Sequence, residues 1–158
     1  MLVPVGIALG SNLGNRSAEL DAGVRYLRTL SEFDHLRESV RIETLPVNCP
    51  PGSGSFLNSI AEVQLDPKLL PPHELLQRLQ AFELSRGRPE VREINAPRPL
   101  DLDIIYYGDL IVNDPDLVIP HPLAAARRFV LEPLSHLSPD LLLPGQTKTV
   151  RELLKACS

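Results

Sequence analysis

Prolines constrain this chain more than any other residue type, because proline ends helices and cannot donate a hydrogen bond within a sheet. Sixteen of the 158 residues are proline. Two segments, 45–55 and 88–99, can form neither helix nor central strand, and we predict them to be two long loops. Loops of this length in a compact domain are often lids over a functional site. The prolines in or beside them are Pro46, Pro50, Pro51, Pro89, Pro97 and Pro99.

Hydrophobic periodicity predicts alternating strands and helices around these loops. The predicted order is a strand ending at Gly10, a helix from about Ser17 to Leu30, a strand over 35–44, a strand from Phe56 to Leu65, a helix opened by Pro71 and Pro72, and a strand from Leu100 to Tyr107. This βαββαβ order is typical of the ferredoxin-like α+β sandwich, in which helices pack on an antiparallel sheet.

The C-terminal third is predicted to consist of short pieces. They are a strand near Leu117–Ile119, a turn at Pro120-His121-Pro122, a helix near Ala124–Leu131 and a last helix from about Val150 to Cys157. A chain of 158 residues fits one domain, so we expect residues 1–158 to form a single unit.

Charge and composition exclude several classes of protein. The formal net charge of −4 gives no reason to expect nucleic acid or an anionic membrane as a partner. No apolar run approaches the roughly 20 residues of a membrane span, and the N-terminus lacks the basic start of a signal peptide. Cys49 and Cys157 form no CxxC motif, which favours free thiols and a cytoplasmic location.

The strongest chemical feature is the pair Asp101 and Asp103 on the predicted strand that begins at Leu100. Alternation directs both carboxylates to one face, with α-carbons roughly 7 Å apart. Paired carboxylates suit Mg²⁺, which binds proteins through one or two carboxylates and substrate phosphates. The alternative is an outer strand face that is acidic without binding a metal.

Arginines precede this strand at positions 86, 88, 92 and 98. They suit a polyphosphate bound to Mg²⁺, because guanidinium groups bind phosphate oxygens in pairs. The alternative is a set of surface salt bridges, which are common and weak. His121 and the pair Arg127-Arg128 could add donors.

Phe56 and Asn58 share a strand face at the rim of the first loop. An aromatic ring beside an amide can hold a flat heterocycle; the alternative is that Phe56 covers the second face of the sheet. Gly10-Ser11-Asn12-Leu13-Gly14 lacks the Gly-Lys-Ser/Thr ending of a P-loop, and we interpret it as a turn and helix cap.

Five segments together resemble 6-hydroxymethyl-7,8-dihydropterin pyrophosphokinases, over nearly the whole chain. They are Ala8–Asn15, Phe56–Asn58, Glu83–Arg88, Ala96–Asp103 and Pro120–Pro122. Members of this family move the β,γ-pyrophosphoryl group of ATP onto the hydroxymethyl oxygen of a pterin, release AMP, and have the ferredoxin-like fold. The resemblance implies ATP and the pterin as small-molecule partners, and we expect a monomer.

The resemblance also implies residue roles. Asp101 and Asp103 would bind two Mg²⁺ ions, and Arg88 and Arg98 would clamp the ATP phosphates as catalytic residues. The remaining ATP-binding residues would be Gln80, Glu83, Ile104, His121 and Arg127. The pterin would lie between Phe56 and Phe129, and its edge would be read by Asn58 and by groups around Thr44, Leu45 and Val47.

The chain departs from the family pattern in the second loop and at the aromatic residue Phe56. Asn95 stands where some members have tryptophan, Phe56 replaces a commoner tyrosine, and the role of Arg92 is open. Two other classes of function stay open on residues alone: a ligand-binding module without catalysis, since folds do not fix function, and a metal-dependent phosphohydrolase.

Overall fold

The computed structural model describes residues 1–45, 54–87 and 97–157. Over these residues the chain forms seven strands and four α-helices. They are β1 (Val3–Ser11), α1 (Arg16–Leu30), β2 (Leu36–Glu38), β3 (Ile42–Thr44), β4 (Phe56–Leu65), α2 (Pro72–Ser85), β5 (Asp101–Tyr107), β6 (Val112–Asp114), β7 (Leu117–Ile119), α3 (Arg128–Leu137) and α4 (Val150–Ala156).

The main sheet has the strand order of a ferredoxin-like domain. The central strand β1 lies between β4 and β5, and both pairings are antiparallel. On the outer side of β4, β2 and β3 pair with successive stretches of that one long strand. The predicted βαββαβ arrangement is confirmed, and β4 has the predicted bounds.

The two long helices pack on one face of this sheet. Asn15 caps α1 by accepting a hydrogen bond from the backbone of Ala18 at 3.1 Å, and α2 opens with Pro72, where a missing N–H costs nothing. The apolar side chains under both helices form one core with alternate residues of β1, β4 and β5. Among the described residues, no helix has the length and apolarity needed to span a bilayer.

The C-terminal helices α3 and α4 cover part of the opposite face. There β5 carries a bulge: Gly6 pairs with Tyr106 and Ile7 with Ile104, so Ile105 has no partner on β1. The extra residue puts Ile105 and Tyr106 together on the α3 side, where both are buried. Alternation resumes at Tyr107, which returns to the first core.

Two predicted elements differ from those observed. The strand over 35–44 is split, because Ser39 Oγ accepts from the Ile60 N–H at 2.9 Å and so replaces a backbone acceptor of the sheet. The helix expected near 124–131 is a 3₁₀ turn over Ala124–Ala126 followed by α3. The helix α3 continues through Pro133, whose missing N–H leaves the carbonyl of Phe129 without its usual helical donor.

Candidate active site

A cavity of about 480 Å³ lies on the α3 face of the sheet, where β1 ends and β4 and β5 begin. The register there places Gly10 between Asn58 and Asp101, and pairs Thr44 with Phe56. Strand ends and the start of α3 thus converge on one space. Its lining residues are Ala8, Leu9, Gly10, Thr44, Leu45, Phe56, Asn58, Ser59, Arg98, Asp101, Asp103, Ala126, Arg127, Arg128 and Phe129.

The paired carboxylates of Asp101 and Asp103 both line this cavity. Alternation along β5 sends Leu102 and Ile104 into the core beneath the helices, as predicted. Opposite the two acids, β1 presents only Gly10 and Ala8, so space remains above the carboxylates. Hard oxygen donors of this kind suit Mg²⁺, and the described lining contains no histidine or cysteine that would favour a softer metal.

Arg98 links the acidic and aromatic sides of the cavity. Its Nε lies 3.3 Å from Asp101 Oδ2, and its side chain is only 13% exposed. Its guanidinium also lies over the ring of Phe56, 5.2 Å from the centroid, within the range of a cation–π contact. Arg127 lies over Phe129 in the same way, at 5.3 Å. Each ring of the cavity therefore has a guanidinium beside it.

The amide of Asn58 is fixed in orientation. Its Nδ2 donates to Thr44 Oγ1 at 2.7 Å, and its Oδ1 lies over Gly10, where an added Cβ would be 3.0 Å away. Asn58 is 8% exposed. Because the hydrogen bond to Thr44 fixes which side of the amide carries Nδ2, Asn58 can present a defined donor and acceptor pattern to a ligand.

Four residues expected at the nucleotide site, Gln80, Glu83, Ile104 and His121, lie outside the cavity lining. Gln80 is exposed on α2, and the side chain of Ile104 is buried in the core. Glu83 is 4% exposed, and its carboxylate accepts from the Leu102 N–H at 2.7 Å. Glu83 therefore caps the outer edge of β5 between the two candidate metal ligands.

His121 stands beside β5 on the same outer edge. Its backbone N–H donates to the Ile105 carbonyl at 2.9 Å, and its Nδ1 accepts from the Leu123 N–H at 3.2 Å. Burial lowers the pKa of His121, the Arg127 cation lowers it further, and Asp101 opposes both effects. The ring is therefore neutral near pH 7, with its proton on Nε2, available to donate to an anion.

Several predicted residues lie outside the described part of the chain. They are Val47, Arg88, Arg92 and Asn95. The remaining arginine of the predicted cluster, Arg86, pairs with Glu19 through Nε at 3.0 Å, which fits the salt-bridge alternative for that residue.

Some lining residues were not predicted, because they carry no reactive group. Ala8, Gly10 and Ala126 contribute only the absence of a side chain. The available signal was the run of small residues Gly6, Ala8 and Gly10 on one face of β1, which leaves space above the sheet. Arg128, expected only as a possible donor, lines the cavity and pairs loosely with Glu132 at 3.4 Å.

Comparison with known proteins adds to this geometry. The model of the family "7,8-dihydro-6-hydroxymethylpterin-pyrophosphokinase (HPPK)" matches residues 6–139. The chain belongs to the HPPK family. The 2-amino-4-hydroxy-6-hydroxymethyldihydropteridine pyrophosphokinase of Pseudomonas aeruginosa is 39% identical, over 99% of this chain and 93% of the relative. The Haemophilus influenzae protein of the same name is 33% identical, over 98% and 92%.

The fold agrees with a solved HPPK structure. A triple mutant of the Plasmodium falciparum HPPK-DHPS protein, crystallised with pteroate, superposes with a TM-score of 0.63 at 15% identity. The match covers 98% of this chain and 43% of that longer chain, and at 15% identity the likeness concerns the fold alone. As a member of the HPPK family, the protein is an ATP-dependent pyrophosphokinase.

Proposed function

We propose that this chain transfers the β,γ-pyrophosphoryl group of ATP to 6-hydroxymethyl-7,8-dihydropterin in folate biosynthesis. The hydroxymethyl oxygen forms a bond to the β-phosphorus, the bond from that phosphorus to the α,β-bridging oxygen breaks, and AMP leaves with the bridging oxygen. The hydroxyl proton is released to solvent. The proposed transfer is direct, without a covalent enzyme intermediate, because the acidic and aromatic side chains that would hold the two substrates line one cavity.

One observation carries this proposal: paired carboxylates, guanidinium groups and two aromatic rings line a single cavity of about 480 Å³. A binding module has no need of the paired acids, and a simple phosphohydrolase has no need of the rings. A pyrophosphokinase needs both, because a polyphosphate and a flat heterocycle must meet.

Asp101 and Asp103 would hold Mg²⁺ at the acidic wall, because both residues line the cavity and neither belongs to the core. A Mg²⁺ ion held there would supply neutralisation of phosphate charge and a lower pKa of the attacking hydroxyl. Arg98 is already paired with Asp101 and would hold a phosphate oxygen beside it. By resemblance, Arg88 would provide a second clamp.

The nucleotide would extend along the outer edge of β5. The neutral His121 and the cation of Arg127 lie on that side, and Glu83 fixes the strand edge by accepting from Leu102. By resemblance, Gln80 and Ile104 would complete the ATP site.

The pterin would lie between Phe56 and Phe129. Stacking on aromatic rings supplies area without specificity, whereas the oriented amide of Asn58, held by Thr44 at 2.7 Å, supplies hydrogen bonds to the heterocycle edge. By resemblance, Leu45 and Val47 would contribute to the same edge. Phe56 preserves stacking without the hydroxyl of the commoner tyrosine.

The test is AMP formation from ATP with the pterin present and omitted, using Asp101→Asn and Asp103→Asn. Each variant should retain the fold and lose at least about 10²-fold in kcat, the size typical for removal of transition-state charge stabilisation. Asp109→Asn is the matched control. It makes the same chemical change in the exposed turn after β5, away from the cavity, and should leave kcat unchanged.

Near-normal turnover by either active-site variant would contradict the assignment of the carboxylates. AMP or ADP formation at an equal rate without the pterin would favour the phosphohydrolase instead. Binding of ATP and the pterin without any turnover would favour the binding module.

We further propose two Mg²⁺ ions per site, and a monomer of one domain, residues 1–158, acting in the cytoplasm. Two acidic ligands side by side support the ion count, and both cores sharing one sheet support the single domain. Counting bound Mn²⁺ by electron paramagnetic resonance with an ATP analogue tests the first. A sedimentation mass of 17.5 kDa tests the second.

A further inference from the structure

The turn between β1 and α1 makes contacts that neither metal binding nor stacking explains. Asn12, in this turn, is 6% exposed and does not line the cavity. Its backbone N–H donates to the Arg98 carbonyl at 3.2 Å, and its side-chain Oδ1 accepts from the Arg98 N–H at 2.9 Å. Both backbone polar groups of Arg98 are therefore held by this one residue.

The other half of the same amide reaches a different segment. Asn12 Nδ2 donates to the Gly54 carbonyl at 3.4 Å, a long and therefore weaker hydrogen bond. Gly54 precedes Phe56 by two residues, so this contact fixes the stem that leads into the aromatic wall. The Asn12 side chain thus joins the segment just before Phe56, the ring proposed to contact the pterin, to the segment that carries Arg98.

Arg98 is where these two halves of the site already meet. Its guanidinium lies over the Phe56 ring at 5.2 Å and its Nε lies 3.3 Å from Asp101. A shift of the Arg98 backbone would move the guanidinium relative to both. We propose that Asn12 is a positioning residue that couples the pterin and nucleotide halves of the site, so that binding of one ligand lowers the cost of ordering the segment used by the other.

This inference rests on the proposed function, and it has a specific energetic form. If the amide joins both segments, the pterin and the nucleotide strengthen one another's binding, and the strengthening is reciprocal. Loss of the two side-chain hydrogen bonds should therefore reduce the mutual strengthening about 5-fold or more.

Neighbouring residues provide matched controls. Asn15 lies in the same turn and caps α1 through Ala18 at 3.1 Å, and within the described part of the chain its side chain makes no hydrogen bond to Gly54 or Arg98. Arg16 donates to the Ser55 carbonyl at 3.0 Å and to Glu43 at 2.9 Å, so it holds both stems of the first loop without touching Arg98. Replacement of Arg16 should weaken pterin binding but leave the mutual strengthening intact.

The experiment is isothermal titration with the dihydropterin and with α,β-methylene-ATP plus Mg²⁺, an analogue that cannot be cleaved at the reacting bond. The Kd of the pterin is measured with and without saturating analogue, for the wild type, Asn12→Ala, Asn15→Ala and Arg16→Ala. The ratio of the two Kd values reports coupling and does not respond to a uniform loss of stability. Only Asn12→Ala should reduce this ratio, by about 5-fold or more.

Asn12→Asp keeps the test decisive if the alanine variant does not fold. It retains an acceptor for the Arg98 N–H but puts a second oxygen opposite the Gly54 carbonyl, so it should keep the affinity for the analogue alone and lose the coupling. A wild-type ratio of one, or an unchanged ratio in the folded Asn12 variants, overturns the inference. If the wild type binds neither ligand, the proposed function itself is wrong.

Discussion

The substitution Gly10→Ala tests the pterin wall with a single methyl group. An added Cβ at Gly10 would lie 3.0 Å from Asn58 Oδ1 and 3.7 Å from Phe56 Cδ1. The first distance is too short for a relaxed contact, so Asn58 must move by a few tenths of an ångström. The second is ordinary van der Waals contact. The substitution therefore displaces the amide while leaving the ring close to its position.

The magnitude follows from what the displacement breaks. Asn58 Nδ2 is held by Thr44 Oγ1 at 2.7 Å, so the amide cannot move without stretching that bond or turning away from a bound heterocycle. Loss of one to two ligand hydrogen bonds at a buried amide costs about 1–3 kcal/mol. The Kd for the pterin should rise about 5- to 150-fold, with the KM for ATP changed much less.

The matched control is Gly6→Ala, the same change four residues earlier on the same face of β1. There a Cβ would lie 2.2 Å from Tyr106 Cε1, so the buried ring must move and its hydroxyl loses Glu62. This variant should lose about 3 kcal/mol or more of stability from overpacking and a broken charged hydrogen bond. Its folded fraction should keep the pterin Kd of the wild type.

The assay is pterin titration by fluorescence, with thermal unfolding of both variants recorded in parallel. The expected result is a crossed pattern, in which Gly10→Ala loses affinity and Gly6→Ala loses stability. An unchanged pterin Kd in folded Gly10→Ala would refute the assignment of Asn58 to the heterocycle edge.

Three further predictions concern residues around the cavity. Tyr106→Phe removes the hydrogen bond from the phenol to the buried Glu62 and should cost about 1.5–3 kcal/mol in urea unfolding, with kcat and KM unchanged. Glu83→Ala removes the acceptor of the Leu102 N–H and should lower the free energy of unfolding by about 1–3 kcal/mol. Hydrogen exchange of the Leu102 amide should become faster, and unchanged slow exchange would contradict this role of Glu83. Because the folded pKa of His121 lies below its usual 6.5, the unfolded chain binds the proton more readily, and stability should be full above about pH 6.5 and decrease as the pH falls below it. His121→Asn keeps a side-chain acceptor but does not titrate, so its unfolding free energy should vary less between about pH 5.5 and 7.5.

Much of the fold could be predicted because the periodicity of the sequence is unambiguous where elements are long. The bounds of β4 and the inward alternation of Leu102 and Ile104 follow from period-two patterns. The split between β2 and β3 could not be predicted, because it depends on Ser39 Oγ accepting from Ile60, a residue 21 positions away. The pattern of neighbouring residues gives no information about a contact between residues so far apart in the sequence.

In the candidate site, too, some residues can be predicted from the sequence and others cannot. The acids and rings are visible in the sequence, because residue type and spacing identify them. The role of Glu83 as the cap of a buried strand edge is not visible in the sequence, because the Leu102 N–H becomes an edge donor only once β5 takes the outer position in the sheet. The contacts of Asn12 depend likewise on two segments that lie 42 and 86 residues along the chain.

Strand β1 serves stability at one end and the candidate binding site at the other. From Gly6 onward, every residue that β1 presents on the α3 face is small: Gly6, Ala8 and Gly10. Over Gly6 the space is filled by Tyr106, whose hydroxyl reaches Glu62 on the next strand, and the C-terminal helices cover that half of the face. Over Gly10 the same space stays open and becomes the cavity. A methyl group is therefore harmful at both ends for different reasons, because at one end it meets the core and at the other it meets the residues that would hold the substrate.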